Sequence, residues 1–209
     1  MRRVITAADV PAGGEWIVER DALWTPVARD MARERGIRLV EVAPGEAPPA
    51  PPESTVCLGA DHGGFALKER LKPLLAEAAL ACLDIGVFDT QPADYPDLAA
   101  QVAEAVAAGK AAWGIMVDGA GIGSAITANK VPGVRAALCY DKASARHSRE
   151  HNHANVLTLG ARLLTASQAE EVVRTWLATP FAGGRHQARV KRIMEVERKY
   201  LRPVSEVGE

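Results

Sequence analysis

Residues 113–124 read WGIMVDGAGIGS. Trp113 to Val117 form a short apolar run, of the length of a strand rather than of a buried helix. Asp118 closes the run. Gly119, Gly121 and Gly123 then alternate with Ala120 and Ile122 up to Ser124. Three alternating glycines between a strand and a helix N-terminus turn backbone N–H groups toward an anion. The spacing departs from G-x-G-x-x-G, because the third glycine comes one residue early, and no Gly-Lys-Ser/Thr follows as in a P-loop. A tight structural turn accounts for the same residues equally well.

The pattern repeats outward from this unit. Apolar runs TVCLGA (55–60), ALACLDIG (79–86), VRAALCY (134–140) and NVLTLG (155–160) are short and continuous. Between them lie helical stretches: FALKERLKPLLAEAA, DLAAQVAEAVAAG, one opening near Gly123, and KASARHSREHN. TASQAEEVVRTWLAT and HQARVKRIMEVERKYL complete the set. Continuous apolar strands alternating with helices predict an α/β fold, a Rossmann-like doubly wound parallel sheet with helices on both faces. Pro73 falls inside the first of these helices and is a candidate kink.

A second element of organisation precedes the sheet. APGEAPPAPPES, residues 43–54, holds five prolines and reads as a stiff extended linker. Before it, residues 1–42 form a small N-terminal appendage. Thr25-Pro26 is an N-cap followed by proline at the first helical position, Val27, Met31 and Ala32 give a short apolar face, and Gly36 ends the helix. IRLVEV then reads as a strand. So short a module buries little apolar area by itself, so docking onto another surface is expected. The chain thus divides into 1–42, the linker 43–54, a main domain 55–203 and a tail 204–209.

The formal net charge of −1 in 209 residues gives no general attraction to nucleic acid or an anionic membrane. No window approaches a membrane span and MRRVITAADV lacks the apolar core of a signal peptide, which predicts a cytoplasmic protein. Three cysteines, Cys57, Cys82 and Cys139, each lie in an apolar run without CxxC spacing, and are expected to be buried reduced thiols.

In doubly wound sheets, ligands bind beyond the carboxyl ends of the strands. There the first strand of the main domain leads into Asp61-His62-Gly63-Gly64, two proton-exchanging side chains beside two glycines. A helix cap and a surface histidine are the alternative reading. His147, His151 and His153 crowd into ARHSREHNHAN. A metal site would need a further ligand and HExxH is absent, so an acid/base histidine is the reading preferred to a metal. Arg185 and Arg189 in GGRHQAR project from one helical face and suit a phosphate, with a solvated basic face as the competitor.

Taken together, GADHGGFALKE, DYPDLA, GAGIGSAITANKVPGVRAAL, SREHNHANVLTLGAR and FAGGRHQARV, in this order, resemble the type B ribose-5-phosphate isomerases and related galactose-6-phosphate isomerases. The resemblance spans about residues 55–200. It implies a homodimer, or a tetramer built on it, with active sites between subunits. It also implies reversible aldose–ketose conversion of a phosphorylated sugar through an enediol, without metal or organic cofactor. By the matching positions Asp61 and His62 line the sugar site, with Tyr95 beside it. His151 is the acid/base that opens the sugar ring, next to Asn152. The backbone of Gly119, Ala120, Gly121, Ile122 and Gly123 stabilises the enediolate, and Arg162, Arg185 and Arg189 take the phosphate. Proton transfer between C1 and C2 needs such a base and such donors.

The sequence departs from this pattern at the base. Asp118 stands where many members carry a cysteine, Ala120 where a threonine is usual, and Ser124 where members lacking the cysteine place a glutamate. Asp118 is therefore the candidate base. A non-catalytic sugar-phosphate-binding protein is the rival reading. A dinucleotide oxidoreductase is disfavoured by the missing fingerprint. VITAADV and ALWTPVARDMARERGIRLV are similar to a segment attached to enzymes of bacterial microcompartments. That similarity implies association with shell or cargo proteins inside such an organelle, and a flap padding the dimer is the alternative.

Overall fold

Thr25 has the extended backbone of an N-cap, and its hydroxyl accepts the N–H of Ala28. The computed structural model describes residues 4–10, 15–42 and 55–201. The Pro-rich linker 43–54 and the tail 204–209 lie outside the described residues. The chain divides into two units, Met1–Ala50 and Pro51–Glu209.

In the first unit, β1 (Val4–Ile5) pairs in parallel with β3 (Leu23–Trp24), and β2 (Glu15–Glu19) with β4 (Arg38–Val42). Helix α1 (Pro26–Glu34) starts on the Thr25-Pro26 signal and ends before Gly36, whose φ of +61° reverses the chain. Ile5, Val10, Val18, Ala28 and Ala32 make its small core. The sequence signals located α1 and β4, but not the five-residue β2, nor β1 and β3, whose two residues each are too few to show a period.

The second unit is the anticipated sheet. In chain order it contains β5 (Thr55–Ala60), α2 (Phe65–Glu77), β6 (Ala81–Asp84), α3 (Tyr95–Ala107), β7 (Trp113–Asp118) and α4 (Ile122–Ala128). Then follow β8 (Ala136–Leu138), α5 (Lys142–Glu150), β9 (Val156–Gly160), α6 (Ala166–Ala178) and α7 (Gly184–Tyr200). The strands are all parallel in the order β6-β5-β7-β9-β8. Side chains alternate across the sheet. Leu58, Ile115, Val117, Leu157 and Leu159 meet α2, α5 and α6 on one face, while Cys57, Met116 and Val156 meet α3 and α4 on the other. Both faces are covered, which is why the strands carry continuous apolar runs.

Three expectations are adjusted. Helix α2 runs unbroken through Pro73, held by the buried Leu71, Leu74 and Leu75 on the sheet. The runs 79–86 and 134–140 yield shorter strands, because β6 and β8 are the two sheet edges and have one pairing partner each. Cys57 and Cys139 are buried and Cys82 is exposed; all three are free thiols. Cys82 lies on edge strand β6, which is mostly exposed.

Candidate functional site

Strands β5 and β7 are neighbours, so their carboxyl ends bring Asp61 and Asp118 to the same end of the sheet. Asp61 is buried, and its Oδ1 accepts the Gly64 N–H at 2.8 Å, capping the turn into α2. His62 accepts the Ala93 N–H at Nδ1, 3.3 Å away, which leaves Nε2 to meet a ligand. The segment carrying Ala93 leads directly into α3, whose first residue, Tyr95, lays its ring on Gly123. A Cβ on Gly123 would stand 2.5 Å from the Tyr95 ring carbons, so glycine is required there by close approach. The glycine loop, Asp61, His62 and Tyr95 thus form one contiguous surface.

Asp118 is buried and points into the loop that follows it. Its Oδ1 accepts the N–H of Ala120 at 2.7 Å and that of Gly121, and its Oδ2 accepts the N–H of Ser124 at 3.2 Å and the Ser124 hydroxyl. Both carboxylate oxygens are therefore occupied by loop donors. Among the described residues, the N–H groups of Gly119, Ile122 and Gly123 have no acceptor in the protein. These three amides are the loop donors left for a ligand.

Arg162 closes the same surface from β9. Ala161 and Arg162 donate their N–H groups to the carbonyls of Asp118 and Gly119, at 2.8 and 3.0 Å. The Arg162 side chain lies over Gly119, where an added Cβ would stand 3.6 Å from its Nε. A cation is thereby fixed beside the free amides.

The remaining candidates lie elsewhere. Helix α5 leaves the carboxyl end of β8 and runs back along the sheet, so its C-cap, His151, sits near the amino end of β9. Asn152 follows it and donates to the His147 carbonyl at 3.3 Å. Ala182 donates its N–H to the Glu150 carbonyl, and this tether starts α7 beside His151. Arg185, His186 and Arg189 of that helix join His151 and Asn152 there. The strand length from Gly114 to Asp118, roughly 13 Å, separates the two groups along the sheet. Within one chain, then, Asp61, His62, Tyr95, Asp118, the loop 119–124 and Arg162 come together, and His151, Asn152, Arg185 and Arg189 form a second group.

The second group holds a residue to which the sequence reading gave no role. The His186 ring stacks on that of His151 with centroids 4.2 Å apart and planes 7° from parallel, and His147 leans on the other ring at 4.7 Å. Burial holds His186 below the usual histidine range, aided by the nearby charges of His151, Arg185 and Arg189. Its position between two arginines in GGRHQAR was the only signal in the sequence, and that signal does not disclose a stacking partner on another helix. Among the described residues, no group of three or more His, Cys, Asp or Glu side chains is arranged to hold a metal ion. No helix there is long and apolar enough to cross a membrane.

A family model described as Ribose/Galactose Isomerase matches residues 56–193. The chain belongs to the ribose/galactose isomerase family. Ribose-5-phosphate isomerase B of Escherichia coli is 41% identical over 144 residues, covering 69% of this chain and 97% of the relative. D-erythrulose-4-phosphate isomerase of Pectobacterium atrosepticum is 38% identical over 140 residues, covering 66% and 92%. Among solved structures, Clostridium thermocellum ribose-5-phosphate isomerase B matches with a TM-score of 0.69 and 45% identity, covering 70% of this chain and 99% of that one. The residues matched by the family model carry the whole parallel sheet except Thr55. Family membership makes the enzyme class that of an aldose–ketose isomerase.

Proposed function

We propose that this member of the ribose/galactose isomerase family interconverts ribose 5-phosphate and ribulose 5-phosphate, in an active site completed by a second copy of the chain. A tetrose or hexose phosphate pair is the neighbouring alternative within the same chemistry. The observation that carries the reading is the division of the candidates into two groups at opposite ends of one sheet. A two-fold partner that turns its amino end toward this chain's carboxyl end unites them, and a cyclic dimer repeats the union twice.

In that site, the free amides of Gly119, Ile122 and Gly123 face the oxygens on which the enediolate charge develops. Asp61 and His62 hold the sugar hydroxyls against Tyr95. The partner's His151, with Asn152, serves ring opening, and Arg162 together with the partner's Arg185 and Arg189 takes the phosphate. Asp118 is the base: as the sugar enters, its carboxylate exchanges loop donors for the carbon-bound proton at C1 or C2. Enclosure between two subunits keeps water from the enediol.

Incubation with C4 to C6 sugar phosphates in deuterated water tests the chemistry. Exchange at C1 or C2 is expected with the pentose pair, and exchange with a tetrose or hexose phosphate alone reassigns the substrate. Sharing of the site is tested by mixing two inactive variants, Asp118→Asn and His151→Ala. Subunit exchange is expected to restore roughly a quarter of the sites by statistics. No recovery from well-folded, exchanging subunits rejects the shared site.

One observation favours a second reading. The Asp118 oxygens are fully engaged by Ala120, Gly121 and Ser124, as in a loop whose carboxylate is structural. A sugar-phosphate binder without turnover would look the same, and absence of exchange with every sugar of the panel would establish it. For residues 1–42 the reading is attachment to a bacterial microcompartment. Loss of co-sedimentation with shells on deleting 1–50, with catalysis intact, is the expected result.

A further inference from the structure

A histidine that transfers protons is ordinarily held in place by a hydrogen bond from its second ring nitrogen to a carboxylate or carbonyl. Among the described residues neither ring nitrogen of His151 is hydrogen-bonded, and the Glu150 carboxylate stands 3.8 Å from Nε2. The contacts that fix the ring are instead flat ones: His186 stacked beneath it at 4.2 Å and His147 leaning on it at 4.7 Å.

His186 is suited to this. It is 8% exposed, so its rotamer is set by packing. Its Nε2 accepts from the Arg185 Nε at 3.4 Å, and its buried Nδ1 has no partner among the described residues. The charged and titratable groups around it are Glu150 and His151 from α5, and Arg185 and Arg189 from its own helix. Two arginines and burial oppose a proton on His186, and two stacked cationic rings would repel.

We infer that His186 is a positioning residue for isomerisation: a buried ring platform that sets the plane of His151 for opening the cyclic aldose phosphate. In that step the C1–O4 bond breaks, O4 gains a proton and the anomeric hydroxyl loses one, so the acid/base ring must be aimed at the sugar oxygens. The inference rests on the isomerase reading and on His151 as its ring-opening group.

The two sugars of the pair separate this role from a general structural one. Ribose 5-phosphate is largely a furanose and must be opened. Ribulose 5-phosphate cannot close a five-membered ring, because its O5 carries the phosphate, and it enters open. Full-length His186→Ala is expected to lose about tenfold or more in kcat with ribose 5-phosphate. Its C1 deuterium exchange with ribulose 5-phosphate should stay within about threefold. His186→Phe keeps a flat ring and is expected to restore the first rate. In NMR spectra the His151 ring protons should lose their ring-current shift in the alanine variant and keep it in the phenylalanine one.

Equal losses with both sugars, no loss with either, or a folded His186→Phe as slow as His186→Ala would each overturn the platform. If the unsubstituted protein exchanges neither sugar, the isomerase reading itself fails, and that outcome is recognisable before any variant is made.

Discussion

The Ser124 hydroxyl donates to the Asp118 carboxylate across the full width of the glycine loop, six residues apart in sequence. Together with the N–H groups of Ala120, Gly121 and Ser124, this bond ties the end of β7 to the start of α4. The carboxylate proposed as the base is therefore also the clasp of the loop, and Ser124 is its latch.

That dual role gives Asp118→Asn a specific signature. An asparagine keeps one acceptor oxygen but turns an NH2 toward loop donors. Isomerisation is expected to vanish and stability to fall by about 1–3 kcal/mol, while phosphate binding through the arginines survives. Calorimetric titration with a non-isomerisable sugar phosphate, beside a turnover assay, checks both. An asparagine variant with ordinary turnover eliminates Asp118 as the base.

Gly64 bears on how the site is assembled. A Cβ at this position would lie 2.3 Å from the Val117 carbonyl oxygen, a backbone atom with nowhere to go. Gly64→Ala is expected to push the Asp61 turn off β7, costing about 1–3 kcal/mol. Thermal unfolding should record the lower Tm and activity assays a loss larger than stability alone explains.

The acid limb of stability should be set by Lys68. Its side chain is fully buried, and its ammonium meets Asp84 and Glu69 at 2.7 Å each, with Lys72 joining both carboxylates. Lysine hydrogen bonds hold Glu69 below its usual range, and those to Lys68 and Lys72 outweigh the burial that would raise Asp84. A lowered carboxylate contributes stability above its unfolded pKa, about 4, and loses it as pH falls through the folded value. Denaturant midpoints should therefore drop below pH of about 4, and Asp84→Asn should flatten that limb. Lys68→Met should cost no more than about 1 kcal/mol at neutral pH, since Lys72 still pairs with Asp84 and Glu69 and neither carboxylate is fully buried.

Thiol chemistry should distinguish the cysteines. Burial pushes the Cys57 thiol up to about 12 and raises those of Cys139 and Cys82, but of the three only Cys82 is exposed, on edge strand β6. A thiol-disulfide reagent should label one equivalent in the native protein and all three cysteines in guanidinium. Rapid labelling of Cys57 would mean that β5 is not buried between its neighbours.

Much of this was legible in the sequence, and for local reasons. Thr25-Pro26 and Gly36 bounded α1 because capping acts within four residues. The apolar runs at 55–60, 113–117 and 155–160 marked strands, because burial on both faces leaves no alternation to confuse with a loop. The order of motifs named the family, and the parallel order of strands made Asp61 and the glycine loop neighbours.

What only the tertiary structure decided was how side chains distant in sequence meet. His151 and His186 are 35 positions apart by their numbers, and nothing in either segment announces a stack. Cys82 reads as buried in ACLD and is exposed, because being an edge strand is a property of the whole sheet. Asp118 reads as a base at a strand end. Its four loop donors depend on the φ of +75° at Gly121, which curls the loop back onto its own carboxylate. Periodicity and capping are local and so are written in the sequence. Which polar atoms face one another is settled when the helices close over the sheet.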